Sequence, residues 1–429
     1  MSKPRIIVVG GGAGGLPLVT RLGRKLGRHG RADITLVDTN SVHVWKPRFH
    51  EVATGAIDAD LDAVDYRAHA RRNHYRFEPG TLSRLDRQAR EIVLAPLKDS
   101  HGDDVLPERR LAYDYLVIAV GSQSNDFGTP GVREHCLFMD TRAQAERFRE
   151  RFLNTCLHAD YQNQPVSVAI VGGGATGVEL AAEIHHAISM LKLYGHERLD
   201  RKQLNVTVVE ALPRILPGLP ERVSEGARKR LQALGVSVRT GVMVAEARKN
   251  ALITKEGEAL NADLLVWAAG VKAPELLARL GLPSNRINQI EVTPTLLARG
   301  SDNIFVIGDC AFLKPAGEDT PIPPRAQSAQ QMAHQTASNL TRLITQRQPK
   351  PFEYRDRGSL VSLSSYSSVG MLMGSLKGGD FFVEGWLARL MYVGLYRMHQ
   401  AALYGWPRTI LLLTAGRFRR LVRPRLKLH

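Results

Sequence analysis

One pattern occurs twice in this chain, and the repetition constrains the fold more than any other feature. Arg5-Ile-Ile-Val-Val-Gly-Gly-Gly-Ala-Gly-Gly15 and Val168-Ala-Ile-Val-Gly-Gly-Gly-Ala-Thr-Gly177 are each a β-branched run that breaks into G-x-G-x-x-G and then into a helix-like segment. In the first copy Gly10 allows the tight turn out of the strand, and Gly12 lets backbone N–H groups approach a pyrophosphate. Gly15 lets the next helix pack close to the sheet, with its N-terminus aimed at the phosphates; Gly11, Ala13 and Gly14 complete the loop. In the second copy Gly172, Gly174 and Gly177 hold these positions, with Gly173, Ala175 and Thr176 between them. Each copy is completed by a second strand ending in an acid, Ile34–Asp38 and Val206–Glu210. An acid there accepts hydrogen bonds from an adenosine ribose. Two complete fingerprints imply two dinucleotide sites, and hence electrons passing from one dinucleotide to the other.

The 429 residues allow two or three domains with real cores. Cys136, Cys156 and Cys310 form no C-x-x-C, and none follows the first Gly-rich loop closely, so neither a disulfide framework nor a metal site is expected. A signal peptide is not expected, because Ile6–Val9 is too short for an h-region. No apolar run has the length to span a bilayer. The expected location is the cytosol or its membrane face. The net charge of +16 is uneven: after Glu384 no acid occurs, yet Arg389, Arg397, Arg408, Arg417, Arg419, Arg420, Arg423, Arg425 and Lys427 follow. Such a tail points to an anionic partner, a lipid surface or nucleic acid.

Between these landmarks, Trp45–Gly55 is an aromatic, Pro- and Gly-punctuated loop. In a two-dinucleotide flavoprotein the chain passes beside the flavin here, which makes Lys46 and His50 candidates; a packed surface loop is the alternative. Arg76–Leu111 reads as short strands with a polar hairpin at Lys98–Asp104, and Tyr115–Gly121 as a buried strand ending in Gly. Thr141–Leu157 reads as a helix. Glu179 falls just inside the second Gly-loop helix, where a nicotinamide would lie, or it stabilises that N-terminus by its charge. Met190–Leu204 reads as a helical extension, and His185 and His186 as ordinary helix residues. Ala262–Gly270 is a strand ending in Ala269 and Gly270. Gly308-Asp309 ends another buried strand, where Asp309 can hold a flavin ribityl chain or cap the next segment. Pro321-Ile-Pro-Pro introduces a helix beginning near Arg325-Ala326, whose partial positive end favours a reduced, anionic flavin. Gln327 and Gln331 share a face of it and suit a ligand carbonyl, although Gln is also common on solvated faces.

From Trp386 to Tyr404 the pattern is a helix with a narrow polar stripe of Arg389, Arg397 and Gln400; Gly405-Trp-Pro407 breaks it. Apolar faces rich in Trp and Tyr beside Arg match helices lying in a membrane interface. The alternative is a helix packed on the core or in a homodimer. Nucleic acid fits poorly, because the basic residues are interleaved with Trp, Leu and Val at helical spacing.

Taken together the chain resembles the type II NADH:quinone oxidoreductases, the single-subunit, non-pumping respiratory dehydrogenases, and their proteobacterial branch in particular. The resemblance covers nearly the whole chain: Val9–Gly15, Trp45–Gly55, Gly172–Glu179, Trp267–Gly270, Ile307–Cys310, the A-Q-x-A-x-Q run Ala326–Gln331, and the Arg423-Pro-Arg-Leu-Lys-Leu-His terminus. It implies an α/β fold of two Rossmann-like dinucleotide-binding domains plus an amphipathic C-terminal membrane-binding region. It places non-covalent FAD on 1–122 and 296–350, NADH on 123–295, and the anchor on 351–429. Gly121, Gly308, Asp309, Ala326 and Gln327 would line the flavin, and Glu179, Gln327 and Gln331 would be the catalytic residues lining the site. A membrane quinone, ubiquinone above all, would reach the flavin near the A-Q-x-A-x-Q helix, on the cytoplasmic face of a bacterial inner membrane. Asp38 departs from the Glu of many flavoproteins, which shortens its reach to the ribose. Sulfide:quinone oxidoreductases and disulfide reductases need cysteines near the flavin, and here only Cys310 lies beside a flavin motif. A redox-sensing scaffold that binds both cofactors is the non-enzymatic alternative.

Overall fold

The β-branched runs form strands, and the breaks after them form turns, in a computed structural model. It describes residues 3–99, 101–196, 198–199, 203–364, 367–373, 380–422 and 426–427. The chain divides into two compact units. The first comprises 1–45, 63–123 and 271–355; the second comprises 46–62, 124–270 and 356–429.

In the first unit Ile304–Val306, Tyr115–Ile118, Arg5–Val9, Asp33–Asp38 and Arg76–Pro79 lie side by side, in that order, as a parallel sheet. Its central strands are apolar on both faces because both are buried; Ile6, Val8, Leu36, Leu116 and Phe305 are fully buried. The helices Gly15–Leu22 and Ala326–Ile344 pack on one another. The strands Leu82–Asp86, Glu91–Leu94 and Arg109–Ala112 form an antiparallel sheet, and the polar hairpin pairs Leu97–Lys98 with Asp104–Leu106.

The second unit repeats the plan with Ser237–Thr240, Leu204–Glu210, Val166–Val171 and Leu264–Trp267 in parallel. The helix expected from Thr141 runs over Arg142–Gln162, and its start is a capping box in which the Thr141 hydroxyl accepts from the Gln144 N–H. The loop Trp45–Gly55, expected beside the flavin, is divided: Trp45 closes a segment of the first unit, and Lys46–Asp62 belongs to this one. Its short helix Phe49–Ala53 packs against Arg142–Gln162 and Ala175–Leu193. The expected helical extension over Met190–Leu204 is corrected: the helix ends at Leu193, Gly195 adopts φ +101°, and Leu204 already begins the next strand. The C-terminal part is more than an anchor, because Ser359–Leu363, Ser367–Met373 and Asp380–Glu384 form an antiparallel sheet before the tail helices Trp386–Tyr404 and Trp406–Val422.

Candidate functional site

Both Gly-rich loops are built alike. Gly10 at φ +101° would place a side chain 2.4 Å from the Ala119 carbonyl oxygen, and a Cβ on Gly15 would lie 1.8 Å from the Gly10 oxygen. Strand, loop and helix are therefore in contact through bare backbone. Gly12 differs: a Cβ there would meet nothing within 4 Å. The packing of the protein does not require glycine at that position, so its bareness reserves space for a ligand. The second unit matches, with 2.0 Å between a Gly177 Cβ and the Gly172 oxygen, and open space at Gly174. Neither Gly-loop helix has a side-chain N-cap bond. In the first, Leu16 N–H already bonds the Gly12 carbonyl and Pro17 has no N–H, so the Gly15 amide is the one its first turn offers a phosphate, whereas the second offers the amides after Gly174.

The two acids have a role that sequence spacing does not reveal. Asp38 Oδ2 accepts the Gly11 N–H at 2.6 Å, and Glu210 Oε2 accepts the Gly173 N–H at 2.7 Å. Each carboxylate therefore fixes its own loop. Burial pushes the Asp38 carboxyl upward, against the pull of the Gly11 and Asn40 hydrogen bonds. Tyr66 was not anticipated either: its hydroxyl donates to the Gly11 oxygen at 2.8 Å and locks the first loop from the other side.

Asp309 lies in a short 3-10 turn, Gly308–Cys310, which has no side-chain cap. Its carboxylate instead accepts the Ser122 hydroxyl at 2.7 Å, and its carbonyl accepts Gln289 Nε2 at 2.8 Å. Ser122 follows Gly121, which turns at φ +72° into open space. Ala326 begins the helix with Arg325 at the N-cap and no side-chain cap bond. Gln327 is half-buried in the first turn. Gln331 is committed to structure: Nε2 donates to the Arg355 carbonyl at 2.8 Å, and Oε1 accepts the Arg355 N–H at 3.0 Å. Gln331→Ala should thus cost about 1–2 kcal/mol of stability in denaturant titration, whatever it does to turnover. Cys136, Cys156 and Cys310 are free, and burial pushes each thiol up to about 12. None is poised for thiolate chemistry.

Lys46 pairs with Asp140 at 3.4 Å within the second unit, and Asp140 in turn accepts the Ser124 N–H at 2.8 Å. Glu179 is the most unusual group in that unit. It is 6% exposed, and Oε1 accepts the Ser362 N–H at 2.9 Å. His50 Nδ1 lies 3.3 Å from Oε2. Burial raises the Glu179 carboxyl well above the usual carboxylate range, and Glu51 and Glu183 add to the rise. Burial also lowers the His50 imidazole to about 4. Burial thus favours the neutral form of both partners. Tyr392 brings its buried hydroxyl from the first tail helix to this cluster. Helix-terminus stabilisation does not describe Glu179, which bonds to a strand amide and a histidine instead. Glu179 lies in the second unit and Gln327 and Gln331 in the first.

The tail helices correct the expected polar stripe. Arg397 and Gln400 turn inward: Arg397 Nη1 donates to Gln400 Oε1 at 2.6 Å, and Gln400 Nε2 donates to the Tyr396 hydroxyl at 3.0 Å. The outward side is apolar, with Trp386 78%, Leu390 61%, Trp406 60%, Leu411 68% and Phe418 71% exposed. Lys427 belongs to the packed protein, with Nζ 2.9 Å from Asp58 and its N–H on the Gly55 carbonyl. Arg423, Arg425 and His429 lie outside the described residues, as do the side chains of Arg389, Arg419 and Arg420. No helix among the described residues is long and apolar enough to cross a membrane.

The profile of the pyridine nucleotide-disulphide oxidoreductase family matches residues 4–333. The type II NADH:quinone oxidoreductase of Haemophilus influenzae is 44% identical, over 99% of this chain and 99% of its own. The chain belongs to that family. The enzyme of the same description from Staphylococcus aureus is 29% identical over 87% of this chain and 90% of its own. Among solved structures, NDH2 from Plasmodium falciparum in complex with NADH superposes with a TM-score of 0.83. It has 20% identity, and the match covers 99% of this chain and 100% of that one. Family membership thus rests on sequence and the shared fold on structure. Within that broad profile, the 44% identical relative is a type II NADH:quinone oxidoreductase, and the three cysteines of this chain are free and buried.

Proposed function

We propose that the chain is an FAD-dependent, non-pumping NADH:quinone oxidoreductase bound to one face of a membrane, with ubiquinone as its acceptor. The observation that carries this reading is the pair of matching loops, each with an unobstructed glycine and a strand-end acid, in a member of this family. The first unit would hold FAD: Gly12 and the bare helix start take the pyrophosphate, Asp38 the ribose, and Asp309 with Ser122 the ribityl chain. The second unit would hold NADH through Gly174, Glu210 and the turn at Ala269-Gly270. Bound FAD would supply the two-electron chemistry that links the nicotinamide to the quinone. The residues of the chain supply position and proton control. Glu179, kept neutral by burial, is a store for a proton that the reduced quinone needs. The positive end of the helix Ala326–Ile344, which starts without a side-chain cap bond, favours negative charge on a ligand.

The outward apolar side of the tail helices is assigned to lipid rather than to a second copy of the chain. Exposed Arg408 and Arg417 lie on the same helix as exposed Leu411 and Phe418, which suits an anionic interface. In a bacterium this is the cytoplasmic face of the inner membrane. The test is steady-state oxidation of NADH by the FAD-loaded protein on vesicles that contain ubiquinone. Turnover should require the quinone and yield quinol; quinone-independent NADH loss alone would refute the assignment.

Glu210 should set the choice of cofactor. One carboxylate facing a 2′-phosphate is worth about 1–2 kcal/mol, so NADH should exceed NADPH by tenfold or more in kcat/KM. Glu210→Gln keeps an acceptor for the Gly173 N–H and removes the repulsion. The ratio should fall toward unity, and an unchanged ratio would show that Glu210 is only a loop support.

A further inference from the structure

Glu179 is buried at one end of a short chain of polar groups that otherwise has no explanation. His50, 2% exposed, lies with Nδ1 3.3 Å from Glu179 Oε2. The other ring nitrogen, Nε2, is buried with no hydrogen-bond partner among the described residues, and it lies 3.9 Å from Glu51 Oε1. A buried nitrogen left without a partner is costly unless it is used. Beyond it the groups become wetter. Arg48 holds Glu51 with a bond of 2.6 Å to Oε2, and lies 3.7 Å from Asp62, whose side chain is 31% exposed. The groups facing His50 are Arg48 and Glu51 from its own segment and Glu179 from the helix Ala175–Leu193; Glu183 and Tyr392 bear on Glu179, and the Tyr396 ring lies under Arg48. All belong to the second unit, so the line is complete within one body.

We propose that His50 is the positioning and relay residue that returns a proton to Glu179 from the Glu51 side after each quinone reduction. The proposal rests on the reading of Glu179 as the proton store of the quinone reaction. Glu179 gives its proton to an oxygen of the reduced quinone and becomes a carboxylate. The Nδ1 proton of His50 moves to Glu179 Oε2, and Nε2 takes one proton from water that enters on the wetter Glu51–Asp62 side, leaving hydroxide to be neutralised in bulk solvent. One proton enters and one leaves, the ring stays neutral, and no electron moves in the relay. The ring ends as its Nε2–H tautomer and returns to the Nδ1–H form by exchange with water. An imidazole held neutral by burial suits this, because neither nitrogen keeps a permanent charge.

The test separates the two half-reactions in stopped flow on full-length, FAD-loaded protein. In His50→Phe, reduction by NADH should stay near wild type. Reoxidation by quinone should slow by about a hundredfold, the usual scale for a lost proton-transfer group. In His50→Ala, which vacates the space of the ring, added imidazole should restore part of that rate, which a packing defect would not allow. His50→Gln, which keeps polarity but cannot relay, should match His50→Phe and guards against a folding failure of the latter. The Glu179 carboxyl band in the infrared, identified by its absence in Glu179→Gln, should persist in the oxidised His50 variants and recover slowly after turnover. Wild-type reoxidation in both His50→Phe and His50→Gln, or slowing in His50→Ala that imidazole does not relieve, overturns the relay. If Glu179→Gln itself reoxidises normally, the reading of Glu179 fails first, and the relay falls with it.

Discussion

Three carboxylates on the outward side of the tail should take this protein off the membrane without touching its cofactors. Leu390, Val393 and Ile410 are 61%, 42% and 55% exposed, and none belongs to the core. Burying each in lipid is worth about 1.5–3 kcal/mol. Their joint replacement by Glu should therefore remove about 6 kcal/mol, or about 10⁴ in partitioning. The triple variant should remain in the supernatant, keep FAD and reduce a short-chain soluble quinone, but fail with a long-tailed one in vesicles. Deleting the tail would be a poorer test. Ala388, His399 and Leu403 are buried, and the Tyr392 hydroxyl closes the Glu179 cluster, so truncation would open the second unit as well. High salt should release the wild type only partly, since it screens exposed Arg408 and Arg417 but not the apolar face. A triple variant that still pellets with membranes would show that the apolar side serves another partner.

The glycines should separate into those the fold needs and those a ligand needs. A Cβ at Gly15 meets the Gly10 oxygen at 1.8 Å, backbone against backbone, so Gly15→Ala should cost more than the ~1–3 kcal/mol of ordinary overpacking and leave little folded first unit. Gly12→Val meets no protein atom within 4 Å at its Cβ. It should fold with the thermal stability of wild-type apoprotein, yet bind FAD at least about tenfold more weakly, the effect of losing about 1.4 kcal/mol. Gly174→Val should do the same to NADH and spare the flavin. Flavin content, apoprotein melting and the KM for NADH read the three outcomes. A Gly12→Val protein with full FAD occupancy would remove the pyrophosphate from that loop.

Local chemistry was legible in the sequence, and long-range partnership was not. The Gly-loops and strand-end acids could be read because strand, turn and helix start adjoin along the chain. That Asp38 and Glu210 also accept the N–H of Gly11 and Gly173 depends on the closed geometry of each loop. The spacing of Gln327 and Gln331 showed a shared helix face, but not that Arg355 would occupy the Gln331 amide. The tail shows the same limit. Helical periodicity tells which residues lie together, but it carries no sign for inward and outward. The polar Arg397–Gln400 stripe turned inward because Tyr396 offered both a ring and a hydroxyl. His50 was a candidate by its place in an aromatic loop, but only folding brings it against Glu179 and the Ser362 strand.

The central claim is that one chain takes hydride from NADH and gives two electrons to quinone, and a sequential anaerobic titration tests it most directly. With the FAD-loaded protein, one equivalent of NADH per chain should bleach the flavin absorbance. One equivalent of ubiquinone should then restore it, with one quinol formed. A flavin that NADH reduces but no quinone reoxidises, or one that NADH leaves oxidised, would contradict the account.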